Sequence, residues 1–169
     1  FSFHGTKIIT TGEGGVLLTN NLNLFNRASM LGDHGRYRNK TRVSNVEIAY
    51  KYQMSAMQAA MGTAQISRLS GLLKKKRKIY SWYKKYLGKY NFLTLNTETK
   101  FFKSNFWLIT IVWDPKLKKN INQFIDFLSK NNIESRPFFE PLSDSLAFKK
   151  KRKCFTFYDQ NKVSKDISG

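Results

Sequence analysis

Sulfur, acid and long apolar runs are all scarce in this chain. A single cysteine, Cys154, in 169 residues excludes an internal disulfide and fits a reducing compartment. A nucleophilic thiol would need a paired histidine, and the two histidines, His4 and His34, lie far from Cys154 in sequence. These residues show no zinc-ligand spacing, so no metal is expected. No apolar run approaches the roughly 18 residues of a membrane span, and no secretory signal opens the chain. A cytoplasmic location without a membrane partner is the expectation. Acidic residues number 11 against 30 basic ones, for a net charge of +19. That surplus admits nucleic acid, an acidic membrane or phosphorylated small molecules as partners, or a more acidic remainder of the protein that balances it.

Apolar and aromatic residues are plentiful, at 41% and 15%, which suits a packed core and excludes a disordered chain. The length suits one domain, or one and part of another. Much of the positive charge lies in Lys74–Lys78, Lys84–Lys85 and Lys149–Lys153. Such runs read as solvated faces. A nucleic-acid binder would add a recognisable module or exposed stacking aromatics. No ribonucleoprotein motif or helix-turn-helix is evident, so a basic nucleic-acid-binding module stands as the alternative reading and nucleic acid is not the expected partner.

The chain opens on Phe1-Ser2-Phe3-His4-Gly5-Thr6-Lys7-Ile8-Ile9-Thr10-Thr11-Gly12-Glu13-Gly14-Gly15, one lysine in a frame of glycines and hydroxyls. Lysine is a nucleophile only as the neutral amine, and a carbonyl partner can then capture it as a Schiff base. Lys7 has no acidic residue within five positions to hold it charged. By spacing alone, an ordinary exposed lysine at a strand end is the favoured reading. A chain that opens inside such a motif is expected to be a piece of a longer protein.

Periodicity and breakers predict a strand over 15–20, a helix over 22–31 ended by Gly32, and a long basic loop over 33–45. Ser55 is a helix N-cap, and Met57, Ala60, Met61, Ala64, Ile66 and Leu69 line the helix that follows. Ser70-Gly71 is read as a bend before a second helix to Leu87, closed by Gly88. The stretch 91–99 reads as irregular, 101–113 as a strand ended by Asp114-Pro115, 120–131 as a helix, and 133–136 as a strand before Pro137. Helices are expected near 143–150 and 158–168. The order predicts an α/β protein, with one domain ending near residue 70 and a smaller α+β domain over 71–169.

Four blocks, in order, resemble the DegT/DnrJ/StrS sugar aminotransferases. The segment from Ser2 to Gly15 resembles their Schiff-base segment, and Asp33-His34-Gly35 their short His-Gly element. The run from Tyr50 to Gly62, continued by Ala64-Gln65-Ile66-Ser67-Arg68-Leu69, resembles their Gly-Tyr-Asn-Tyr-Arg-Met-Ser…Gln-Ala-Ala…Gly block. Ile133 to Leu142 resembles the segment near their C-terminal substrate pocket. The resemblance implies the C-terminal part of a fold type I α/β transferase that uses pyridoxal 5′-phosphate (PLP): the end of the large domain over 1–70, and a truncated small domain over 71–169.

By that resemblance Lys7 binds PLP as a Schiff base and carries a proton between cofactor and substrate carbons. Ser2 matches the hydroxyl on the cofactor phosphate. Lys51 stands where many relatives carry an Asn that reaches the phosphate of the partner subunit's cofactor, which implies a two-fold homodimer with shared active sites. His4, Gln53 and Arg136 are candidate substrate contacts, with a packing role for His4 left open. The implied reaction moves an amino group, from L-glutamate as donor, to a nucleotide-linked keto sugar in surface-polysaccharide or aminosugar biosynthesis. Dehydratases of the family commonly replace the Schiff-base lysine, so Lys7 favours transamination. Three departures stand out: Ala49 where Gly is common, Ser143 where many relatives have His, and no counterpart here of the family's upstream Asp for the pyridine nitrogen and its ring-stacking aromatic. The 169-residue piece alone is therefore expected to be inactive.

Overall fold

A computed structural model describes residues 1–38, 43–117 and 120–145. It divides into two compact units, one comprising Phe1–Ser81 with Ser104–Trp107, the other Trp82–Lys103 with Leu108–Gly169.

The first unit opens on the loop that carries Lys7. Helix α1, Leu22–Gly32, follows, and the Asn21 side chain caps it by accepting from the Leu24 amide. Strands β1, Arg36–Arg38, and β2, Val43–Asn45, pair antiparallel with Tyr37 opposite Ser44. A hairpin therefore occupies part of the stretch expected to be a loop. Its strands are too polar to show the alternation by which a half-buried strand is read. Gly35, at φ +65°, turns the chain into it, and a Cβ there would lie 2.4 Å from the Glu47 carbonyl oxygen. Helix α2, Ala56–Ile66, starts at Ser55, whose hydroxyl accepts from the Gln58 amide while the Gln58 side chain accepts from the Ser55 amide. Helix α3, Leu69–Leu87, follows after a break at Ser67-Arg68, earlier than the expected Ser70-Gly71, and its residues from Trp82 onward fall in the second unit. The Ser67 hydroxyl donates to the Ala64 carbonyl, and the Arg68 amide reaches back to Gln65, which tightens the last turn of α2.

The expected strand over 15–20 pairs only at its start, through a Ser2–Gly15 bridge and the Val16 amide on the Phe1 carbonyl. Among the described residues no neighbouring strand takes up its amides beyond Val16, and an apolar run becomes a strand only where one does.

In the second unit, β3, Leu93–Leu95, pairs antiparallel with β4, Ile111–Trp113, where 91–99 was expected to be irregular. Only the last three residues of the strand expected over 101–113 form one. Upstream, the Ser104 and Asn105 side chains accept from the Phe106 and Trp107 amides, and Phe106 takes φ 48°, which breaks extended backbone. Helix α4, Ile121–Lys130, is capped by Asn120 and lays Phe124 edge-on to Trp113, 5.0 Å between ring centres. No strand forms over 133–136. Asn132 is left-handed (φ 59°) and the Ile133 amide turns back to the Leu128 carbonyl, so these residues close α4 instead. A 3₁₀ turn covers Leu142–Asp144, and the helices expected further along lie outside the described residues.

Candidate active site

The lysine loop is tied by its own backbone and hydroxyls. The Phe3 amide donates to the Gly14 carbonyl and the Thr11 amide to the Phe3 carbonyl, each at 2.9 Å. The Thr10 hydroxyl donates to the Phe3 carbonyl, and the Thr11 hydroxyl to that of Glu13. Gly14, at φ +123°, makes the return possible. Lys7 sits at the tip, in a turn closed by its amide on the His4 carbonyl at 2.9 Å. Ser2 Oγ accepts from the His4 amide at 3.3 Å, which leaves its own hydroxyl proton for another acceptor. His4 Nδ1 lies 3.2 Å from the Thr6 hydroxyl, and Nε2 lies 3.5 Å from the Glu13 carboxylate.

Two neighbours hold this loop from outside. The first is α2, which presents Gln58, Gly62 and Gln65 at i, i+4 and i+7, one face of a helix. The Gln65 amide group pairs with the Thr10 backbone in both directions, donating to its carbonyl at 2.6 Å and accepting from its amide at 3.1 Å. The Gln58 side chain donates to the Glu13 carbonyl at 3.3 Å. Between them Thr11, 3% exposed, meets Gly62, where a Cβ would come within 3.1 Å of the Thr11 methyl. The apolar residues expected to line α2 instead face outward, Met57 being 83% exposed.

The second neighbour is Trp107. Its indole N–H donates to the Thr6 carbonyl at 2.7 Å, and the Lys7 ammonium lies 3.4 Å above its ring centre. Among the described residues no carboxylate lies within ion-pair distance of Lys7.

Lys51 and Gln53 form a separate cluster at the end of α1. Lys51 bridges to Asp33 across an isolated β-bridge, its amine 3.5 Å from the Asp33 carboxylate and 3.0 Å from the side-chain Oε1 of Gln53. Arg36 lies 3.8 Å from the same carboxylate. Arg136, in the second unit, is exposed and 3.7 Å from Glu134. Ser2, His4 and Lys7 thus share one loop, Lys51 and Gln53 another site, and Arg136 stands on the other unit.

Residues 1–168 match the sequence profile of the DegT/DnrJ/EryC1/StrS aminotransferase family. The chain belongs to that family. GDP-perosamine synthase of Vibrio cholerae is 34% identical over 141 residues, 83% of this chain and 38% of that protein. Helicobacter pylori PseC, an aminotransferase of pseudoaminic acid biosynthesis, superposes with a TM-score of 0.83 at 21% identity, over 99% of this chain and 44% of PseC. Spr1654 of Streptococcus pneumoniae, solved in a PLP form, gives a TM-score of 0.77 at 22% identity, over 100% of this chain and 44% of that one. The fold is that of the fold type I sugar aminotransferases. The chain spans about two fifths of the length of the curated relatives it matches.

Within this DegT/DnrJ/EryC1/StrS member, sequence reasoning missed Gln58, Gln65 and Trp107 as parts of the lysine site. The two glutamines carried a weak signal, polar side chains on the same helix face as a glycine. Trp107 carried none, since a tryptophan in an apolar run reads as core.

Proposed function

We propose that this chain is the lysine-bearing part of a PLP-dependent aminotransferase that moves an amino group from L-glutamate to a nucleotide-linked keto sugar in surface-polysaccharide or aminosugar biosynthesis. The observation that carries the reading is Lys7 itself. It stands at the tip of a loop braced on two sides, its amine unpaired by any carboxylate among the described residues and resting on an aromatic face.

The donor set fits PLP. A primary amine is available for the aldehyde, and Ser2 beside it keeps a hydroxyl proton to offer a phosphate oxygen. When bound, PLP supplies the electron sink that makes a proton on the substrate carbon acidic. Lys7 would carry that proton on Nζ between the substrate carbon and a cofactor carbon, with the braced loop holding the lysine in place. His4, held by Thr6 and Glu13 on the same loop, is assigned as a substrate contact. Lys51, oriented by Asp33 and Gln53, is assigned to the phosphate of the partner subunit's cofactor in a two-fold dimer, with Gln53 and Arg136 as substrate contacts. Residues 1–70 belong on this reading to the large domain and 71–169 to the small one. A reducing cytoplasm fits the single cysteine, and among the described residues no helix is long and apolar enough to cross a membrane.

The test is spectroscopic. The full-length protein prepared with PLP should show the absorbance band of lysine-bound PLP, and borohydride should fix the cofactor to the peptide that contains Lys7. Lys7→Ala should lose both signals, and a Lys7→Ala protein that keeps them would sink the assignment.

A further inference from the structure

Trp107 lies 100 residues along the chain from Lys7, yet everything around it holds its ring against that lysine. Its indole N–H is spent on the Thr6 carbonyl at 2.7 Å, which fixes the ring plane beside the turn. Its own amide is taken by the Asn105 side chain at 3.0 Å. Its carbonyl accepts from the Lys76 amine, also at 3.0 Å, and the Ser104 carbonyl accepts from Arg77 at 2.8 Å, so α3 grips the segment by its backbone. Next to it Phe106, 2% exposed, stacks on Tyr80 with ring centres 3.8 Å apart. Phe106 is the buried large hydrophobic side chain among the described residues, and it takes positive φ to deliver Trp107 to the loop. A tryptophan bonded by Thr6 at its indole and by Asn105 and Lys76 at its backbone is a platform, and what stands on it is the Lys7 amine at 3.4 Å.

We infer that Trp107 is a positioning residue for Lys7, whose indole face receives the lysine as the ammonium each time the amine is released from the cofactor, and holds it there for proton transfer. This rests on the reading of Lys7 given above. An aromatic face attracts the charged amine through its quadrupole and has little hold on the neutral one. The ring face is therefore where Lys7 Nζ rests while it holds the proton. A carboxylate in the same place would also hold an ammonium, but as an ion pair that resists release of the neutral amine; the ring holds it more weakly.

The contact can be read without PLP. In the PLP-free protein with its lysines ¹³C-dimethylated, which keeps their charge, one dimethyl-lysine resonance should be shifted upfield by the indole ring current and be missing from Lys7→Ala. Trp107→Leu should return it to the envelope of the other lysines, and Trp107→Phe should keep a smaller shift. In the PLP-loaded protein, Trp107→Leu should slow the single-turnover half-reaction with α-deuterated L-glutamate about tenfold and enlarge its isotope effect, because the proton carrier has lost its resting place. Trp107→Phe, which retains a ring face, should stay within about threefold of the parent. A Lys7 resonance unshifted in the parent protein would overturn the inference, as would an unchanged isotope effect in Trp107→Leu. Should Trp107→Leu fail to fold, the parent spectrum and the Trp107→Phe kinetics decide the matter. Failure of borohydride to fix PLP at Lys7 would strike the functional reading while leaving the PLP-free spectrum as it is.

Discussion

At the scale of single residues, the site depends on side-chain amides more than on charges. Gln65 is the clearest case, because one carboxamide satisfies both the amide and the carbonyl of Thr10. These groups are partly buried, and a partly buried backbone group left without a partner costs about 1–3 kcal/mol. Gln65→Ala should therefore lower the unfolding free energy by an amount of that order, read as a lower urea midpoint at an unchanged slope, and speed hydrogen exchange at the Thr10 amide. Exchange at Thr10 unchanged from the parent would show that the loop holds itself. None of this was legible from the residue type. A glutamine on a helix reads as a solvated side chain, and only the fold shows which backbone it meets.

At the scale of elements, α2 does two jobs with one side chain. Gln58 closes the capping box with Ser55 through its carbonyl oxygen and braces the loop at Glu13 through its nitrogen. Gln58→Glu separates them, since the carboxylate can still accept from the Ser55 amide but has no N–H for the Glu13 carbonyl. Its charge also suits the first turn of a helix. Helix stability should stay within about 0.5 kcal/mol of the parent, while exchange at the loop amides should quicken. Equal loss in Gln58→Glu and Gln58→Ala would place the whole effect in the cap. The cap at Ser55 and the helix behind it were legible, because capping is written in adjacent residues. The packing face was not: the apolar stripe pointed to Met57 and Met61, while Gln58, Gly62 and Gln65 meet the loop.

At the scale of the whole molecule, the apolar content of the described residues has little buried core to show for it. Phe106 is buried, but Leu17, Leu18, Phe25, Ile48, Tyr52 and Met57 all stand exposed. Apolar surface on that scale is rarely left to water in a stable monomer. The 169-residue chain by itself should bind an environment-sensitive apolar dye strongly and elute from a sizing column well above its 19.7 kDa. A weak dye response from a monomer of that mass would contradict this. The charge of +19 did not predict a nucleic-acid fold, and the family match agrees with the motif blocks instead.

The sequence by itself determined the family, through four blocks in order, and the helix that begins at Ser55; it also marked out Lys7 and Ser2, whose cofactor roles are proposed above. These are local patterns, set by the chemistry of a lysine, a hydroxyl and a cap, and they survive in the chain whatever it packs against. Only the tertiary structure decided what surrounds the lysine. The pairing of β1 with β2 and of β3 with β4, the turn of α2 toward Thr10, and the delivery of Trp107 to Lys7 all join residues far apart in the chain. Such contacts are chosen by which surfaces fit and which backbone groups still need a partner, and neither is written in any one stretch of sequence.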